Sequence, residues 1–211
     1  MKNVLPILAD IANGIFATAI AGLVTNTEIV WWHFLIGIPL AMLPDLDALP
    51  ELFRRGKVSA SVYHGYDHRE LLHYPLVFVL LGIGLVYAHE FFGVLFLCAT
   101  MLHFVNDLYG TGWGIPLAWP LTNRRYKLLG RRVNRLKRTL VRTGQWNLIT
   151  HDERRLRPVV SWTSEELPEY IAQYGVDEWI SRYYLRLNWI SVTEYLLFVA
   201  AVLLAIFVLV Y

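Results

Sequence analysis

His103 and Asp107 stand four residues apart in an apolar, helix-compatible stretch, which puts both side chains on one face within reach of a single cation. Asp45 and Asp47 follow Pro44 and flank Leu46. In the extended or turned backbone that proline favours, their carboxylates need not point the same way, so one can ligate while the other bridges to a second ion or orients a histidine. Asp67, His68 and His73 form a third group. The two histidines are five apart, a poor helical match, so one is expected at the mouth of a helix and the other about a turn inside. Asp10 and Asn13 make a fourth polar pair. Mixed His and Asp donors without a thiolate suit a divalent metal better matched to zinc, with manganese or iron as alternatives, than to copper. Such an ion acidifies a bound water and polarises a phosphoryl or acyl oxygen. Asp47 or Asp67 could then take the water's proton, and Arg69 could clamp a phosphate or anchor its helix at the headgroups.

The elements that must position these groups are membrane helices. Of 211 residues, 56% are hydrophobic and only 17% charged, which argues against a soluble globular domain. A formal net charge of +2 gives no case for nucleic acid, and the single cysteine, Cys98, offers neither an internal disulfide nor a thiolate site. Apolar runs at 4–24, 30–43, 71–88, 91–108 and 192–210 predict an all-α polytopic protein of about five transmembrane helices. The second run is the weakest, because Pro44 and two aspartates cut it short. The first lacks a small-residue cleavage site and carries Asp10 and Asn13, so it reads as a retained helix.

Lysine and arginine are concentrated between the second and third runs and between the fourth and fifth, and the two other connections have none. Both basic loops are therefore expected in the cytoplasm, with the N-terminus inside and the C-terminus outside. That orientation brings the four polar groups to one level, just below the cytoplasmic interface. Ionisable residues inside spans are costly, so each is a candidate functional residue. His33 and His89 fall at the opposite side and read as histidines bonded to the backbone.

The long basic segment has structure of its own. Val133, Leu136, Leu140 and Val141 recur at helical spacing among basic residues, as in an amphipathic helix resting on anionic lipid headgroups, although a solvated loop fits equally. Thr163 with Glu166 is a capping-box signature for a helix running to about Tyr174, and 177–188 suggests a second, aromatic-rich helix. The glycines from Gly110 to Gly114 read as a turn ending the fourth span, with Trp119 at headgroup level.

Three ordered motifs carry a family resemblance: Leu43-Pro44-Asp45-Leu46-Asp47, then Asp67-His68-Arg69-Glu70-Leu71-Leu72-His73, then His103 through Asp107 with Gly114-Ile115-Pro116-Leu117-Ala118-Trp119-Pro120. Over roughly residues 1–127 the chain resembles the predicted membrane-bound, metal-dependent hydrolases, also known as the LexA-regulated inner-membrane hydrolases. The resemblance implies Asp45, Asp47, His68, His73, His103 and Asp107 as metal-site residues, a location in the bacterial inner membrane, and, through a more distant likeness to zinc-dependent phospholipase C, phosphoester hydrolysis. The chain departs from the family's H-R-G-x-T-H-S pattern at Glu70, Leu72 and Tyr74, and offers Asp10 or Asn13 where the family tends to carry a first-helix histidine.

The expected organisation is a membrane-embedded metal-site domain of four helices over 1–127, a basic cytoplasmic or interfacial segment over 128–190, and a last transmembrane helix over 191–211. The expected function is a metal-dependent hydrolase acting on a lipid or lipid-linked phosphoester that reaches the site by lateral diffusion. A transporter and a structural or partner-binding membrane protein are the rivals. The outer halves of the spans carry few polar groups, which weighs against transport.

Overall fold

The computed structural model describes residues 5–56, 58, 69 and 72–210. The chain is mostly helical. Helix α1 (Ile7–Thr25) packs against α2 (Trp31–Ala41), which gives way at Pro44 to a 3-10 turn (Pro44–Ala48) and then to α3 (Leu49–Arg55). Helices α4 (Pro75–Ala88) and α5 (Glu90–Tyr109) form an antiparallel pair, and α10 (Trp189–Val210) closes the bundle against α1. Between α5 and α10 lie β1 (Arg125–Gly130), α6 (Lys137–Arg142), α7 (His151–Arg154), β2 (Arg157–Trp162), α8 (Leu167–Tyr174) and α9 (Trp179–Tyr183).

Helices α1, α5 and α10 are long and apolar enough to cross a bilayer. The second expected span qualifies only together with the segment beyond Pro44, and that pair is bent by 49°. The third falls short: Tyr74 is extended and Pro75 opens the helix, as proline at a first turn does, so α4 keeps 14 residues. At 1.5 Å per residue that is ~21 Å, against ~30 Å of hydrocarbon. Three helices, or four with the bent pair, thus replace the expected five among the described residues. The α1–α2 crossing is close because Gly14 and Gly37 face it; a Cβ on Gly14 would lie 2.4 Å from Ile38 Cα.

The basic segment is a folded cap. Strands β1 and β2 pair antiparallel, Arg125 opposite Trp162 and Gly130 opposite Arg157, and Ile115 bridges to Tyr126. Trp113, Val133, Leu140, Ile149, Val160, Trp162, Leu167, Ile171 and Tyr174 form a core there. Val133 and Leu140, expected on a lipid-facing helix, are buried in this core, and α6 is only six residues long. The capping box is formed: the Thr163 N–H donates to Glu166 Oε1 (2.8 Å) and the Glu166 N–H to Thr163 Oγ1 (3.2 Å), and α8 ends at Tyr174. The aromatic helix expected over 177–188 is confined to α9.

Candidate metal centre

Five elements meet at the end of the bundle nearest the cap. Helix α5 carries His103 and Asp107 on one buried face. The 3-10 turn after α2 carries Asp45 and Asp47, and the non-helical residues before α4 carry His73 and Arg69. Helix α1 contributes Asp10 from its first turn, and α10 brings Glu194 to the same end.

Four donor atoms converge. His73 Nε2 lies 3.5 Å from Asp45 Oδ1 and 3.1 Å from Asp107 Oδ2; His103 Nε2 lies 3.6 Å and 3.3 Å from the same two oxygens. Asp45, His73 and His103 could hold a metal ion. A cation ~2.0–2.1 Å from four donors at the corners of a tetrahedron keeps them ~3.3–3.4 Å apart, and the distances of Asp107 Oδ2 to the two Nε2 atoms, 3.1 and 3.3 Å, lie near that spacing. His103 Nε2 and Asp107 Oδ2 are buried and make no hydrogen bond of good geometry among the described residues. A cation would satisfy both.

Each imidazole is oriented from behind. His103 Nδ1 donates to Asp10 Oδ1 at 2.8 Å, and His73 Nδ1 donates to Asp47 Oδ2 at 3.0 Å. With an ionised carboxylate as acceptor, Nδ1 is the donor in each ring, and a neutral imidazole then turns its Nε2 lone pair to the common centre, the arrangement that metal-binding histidines use. The Leu72 N–H also donates to Asp47 Oδ2, at 3.2 Å, and fixes that carboxylate. Asp47 therefore stands behind the ring of His73, away from the donor atoms, where the sequence left open whether it or Asp45 would ligate. Arg69 Nη2 meets Asp107 Oδ1 at 2.6 Å, and Gly112 makes room for it: a Cβ there would fall 1.2 Å from Arg69 Nη1. As ionised groups, Asp10, Asp45, Asp47 and Asp107 outnumber Arg69 by three charges, an excess that a divalent cation would largely offset.

Asp45 is the outermost of the four, its side chain 39% exposed, and marks the mouth of the site. Asp67 and His68 lie outside the described residues, so the structure leaves the expected ligand His68 and the expected base Asp67 unplaced. His33 is buried at the far end, where its Nδ1 accepts the N–H of Val30, and His89 is exposed between α4 and α5.

A family model described as YdjM inner membrane protein matches residues 10–210. The chain belongs to that family. No curated protein and no solved structure matches it significantly. The protein is thus an integral membrane protein of the YdjM inner membrane family, and the match runs through the cap and α10, well past the 127 residues that the motifs alone covered. In this YdjM chain two groups at the site went unassigned in the sequence. The sequence marks Asp10 only as a polar residue at the place of a family histidine; its partner, His103, is what gives it a role. Glu194 is buried, and its Oε1 lies beside Gly110, where α5 ends. The signal for it was present, a lone carboxylate in the last apolar run.

Proposed function

We propose that this YdjM protein is a metal-dependent hydrolase that cleaves a phosphoester of a lipid or lipid-linked substrate at the cytoplasmic leaflet. Asp45, His73, His103 and Asp107 would hold the ion, zinc by its preference for such nitrogen and oxygen donors, with Asp10 and Asp47 orienting the histidines. The observation that carries the reading is the convergence of two Nε2 and two carboxylate oxygens at 3.1–3.6 Å, with both rings held from behind. When bound, the ion would supply Lewis acidity toward a phosphoryl oxygen and lower the pKa of water. The protein's own groups do the rest. Arg69, anchored on Asp107, presents its guanidinium at the inner edge, where a phosphate oxygen would gain a charge-assisted hydrogen bond. Asp45 faces the mouth by which substrate and water enter, and the buried helix faces of α1 and α5 exclude water from the opposite side. Asp67 remains the candidate to take the water's proton.

The excess of lysine and arginine in the cap and after α3 supports a cytoplasmic position for this end, hence the N-terminus inside and the C-terminus outside. Polar groups gather at one end of the bundle, which favours a surface-facing centre over a transport path.

The test is metal content by elemental mass spectrometry, followed by phosphate release from lipid phosphoesters in nanodiscs. The protein is compared with an Asp45→Ala, His103→Ala variant. Stoichiometric zinc and zinc-dependent release, both lost in the variant, are expected. A metal-loaded protein inactive across lipid phosphoesters would overturn the hydrolase reading.

A further inference from the structure

The turn that carries Asp45 and Asp47 runs directly into α3, and the chemistry above makes no use of that helix. None of its residues is buried. Leu46, Leu49, Leu52 and Phe53 are all exposed, Phe53 at 85%, and Leu46, Leu49 and Phe53 recur three and four residues apart, along one side of the segment. Arg54 and Arg55 close the helix, Arg55 paired with Glu51.

An apolar face of this size facing water would be costly, and this one follows α2 at a 49° bend. The bend turns it away from the path of α2, and seven residues cannot cross the bilayer. Its apolar side chains and terminal arginines match the two zones of an anionic leaflet, acyl chain and headgroup. A second interfacial marker stands next to the site: Tyr74, adjacent to His73, stacks on Trp119 with ring centroids 4.4 Å apart.

We propose that α3 is a wedge seated in the cytoplasmic leaflet, and that it delivers a membrane phospholipid, acyl chains first held along Leu49 and Phe53, to the mouth at Asp45. The substrate role rests on the hydrolase reading; the seating of the wedge does not. The wedge makes the hydrolase selective for lipid over water-soluble phosphoesters, because only a bilayer component approaches along that face.

The experiment has two arms in phosphatidylglycerol-containing nanodiscs. In a Cys98→Ala background, nitroxides are placed at Phe53→Cys, at Leu203→Cys on the lipid-exposed side of α10, and at Asp152→Cys on the cap. The label at 53 is expected to match that at 203, open to oxygen and shielded from a water-soluble nickel chelate. A label at 53 as open to nickel as that at 152 overturns the wedge. In the second arm, Leu49→Glu, Phe53→Glu is expected to release phosphate from lipid about tenfold more slowly or worse, with metal content and hydrolysis of a short-chain soluble phosphoester unchanged. Equal loss on both substrates, or no loss on lipid, overturns the delivery role. If no phosphoester is cleaved, the hydrolase reading and the delivery role fall together, and the nitroxide arm still decides the wedge.

Discussion

Removing the charge behind one histidine tests whether both rings present Nε2 to a common ion. Asp10→Asn keeps the size of the side chain at the 2.8 Å contact with His103 Nδ1 but replaces a carboxylate by an amide. Outer partners of metal-binding histidines are worth ~10–100-fold in affinity, or ~1.4–2.7 kcal/mol. The structure ranks the two sites within that range. Asp47 Oδ2 also accepts the Leu72 N–H, so an asparagine there keeps its oxygen toward His73; among the described residues no backbone N–H likewise fixes an amide at Asp10. Asp10→Asn is expected near the upper end, ~100-fold, and Asp47→Asn near the lower, ~10-fold. The assay is competition for zinc against a chromogenic chelator in detergent micelles, with thermal unfolding with and without zinc as a check on folding. Variant proteins that fold and bind zinc as tightly as the parent would refute the reasoning, since the imidazoles would then not be ligands through Nε2. The reverse ranking would refute the account of what holds each carboxylate.

Other perturbations probe neighbouring parts. Gly112→Ala places a methyl 1.2 Å from Arg69 Nη1, so it should displace the guanidinium and cut phosphoester hydrolysis by ~100-fold with zinc content retained, read by turnover and elemental analysis. Trp162→Ala empties a fully buried site in the cap core, and a loss of ~3–5 kcal/mol is expected in hydrogen-exchange protection of β1 and β2, with α1 and α5 unaffected. Burial alone would raise the pKa of Glu166, but the Thr163 N–H and the Arg132 guanidinium outweigh it and hold the carboxyl below 4.5. Its folded-state pKa is depressed, so its contribution to the cap is full at neutral pH and fades as pH falls from the ordinary value through the depressed one. Glu166→Gln should remove that part of the acid loss in near-ultraviolet circular dichroism. Chelation should raise hydrogen exchange in residues 44–55 and 72–74 before it affects α5, because the former lie outside the long helices; uniform loosening would contradict this.

The polar cluster is legible in the sequence because charges inside apolar runs are expensive and these stand at one level. What the residues could not say was which carboxylate does what. Asp45 and Asp47 are the same residue type two positions apart, and only the 3-10 turn after Pro44 sends one to the shared donors and the other behind His73. His73 was expected inside a helix; the proline at 75 starts the helix after it, and that rule was available in the sequence. The cap was hidden for another reason. Helical spacing at Val133, Leu136 and Leu140 identifies an apolar side without naming what it faces, and the partners Trp113 and Trp162 are distant in sequence. Strand β1, Arg-Tyr-Lys-Leu-Leu-Gly, has no clean alternation to announce it.

The two histidine arms also explain why the site needs elements that no single motif contains. His103 on α5 is backed by Asp10 from α1, a pairing between two long helices packed against each other. His73 before α4 is backed by Asp47 after α2, a pairing between a 3-10 turn and a short irregular stretch. Asp107 and Asp45 join the halves, one from each, and their oxygens face both Nε2 atoms. The helical half can be placed by bundle packing alone. The other half brings further carboxylates to the same point, and repulsion among them opposes its docking, with Arg69 on Asp107 a partial counterweight. A divalent cation held there would remove that opposition and tie the two halves together. Binding energy at the centre would then be spent partly on fixing the segment that leads into α3, and occupancy of the site and the position of its mouth would become one equilibrium.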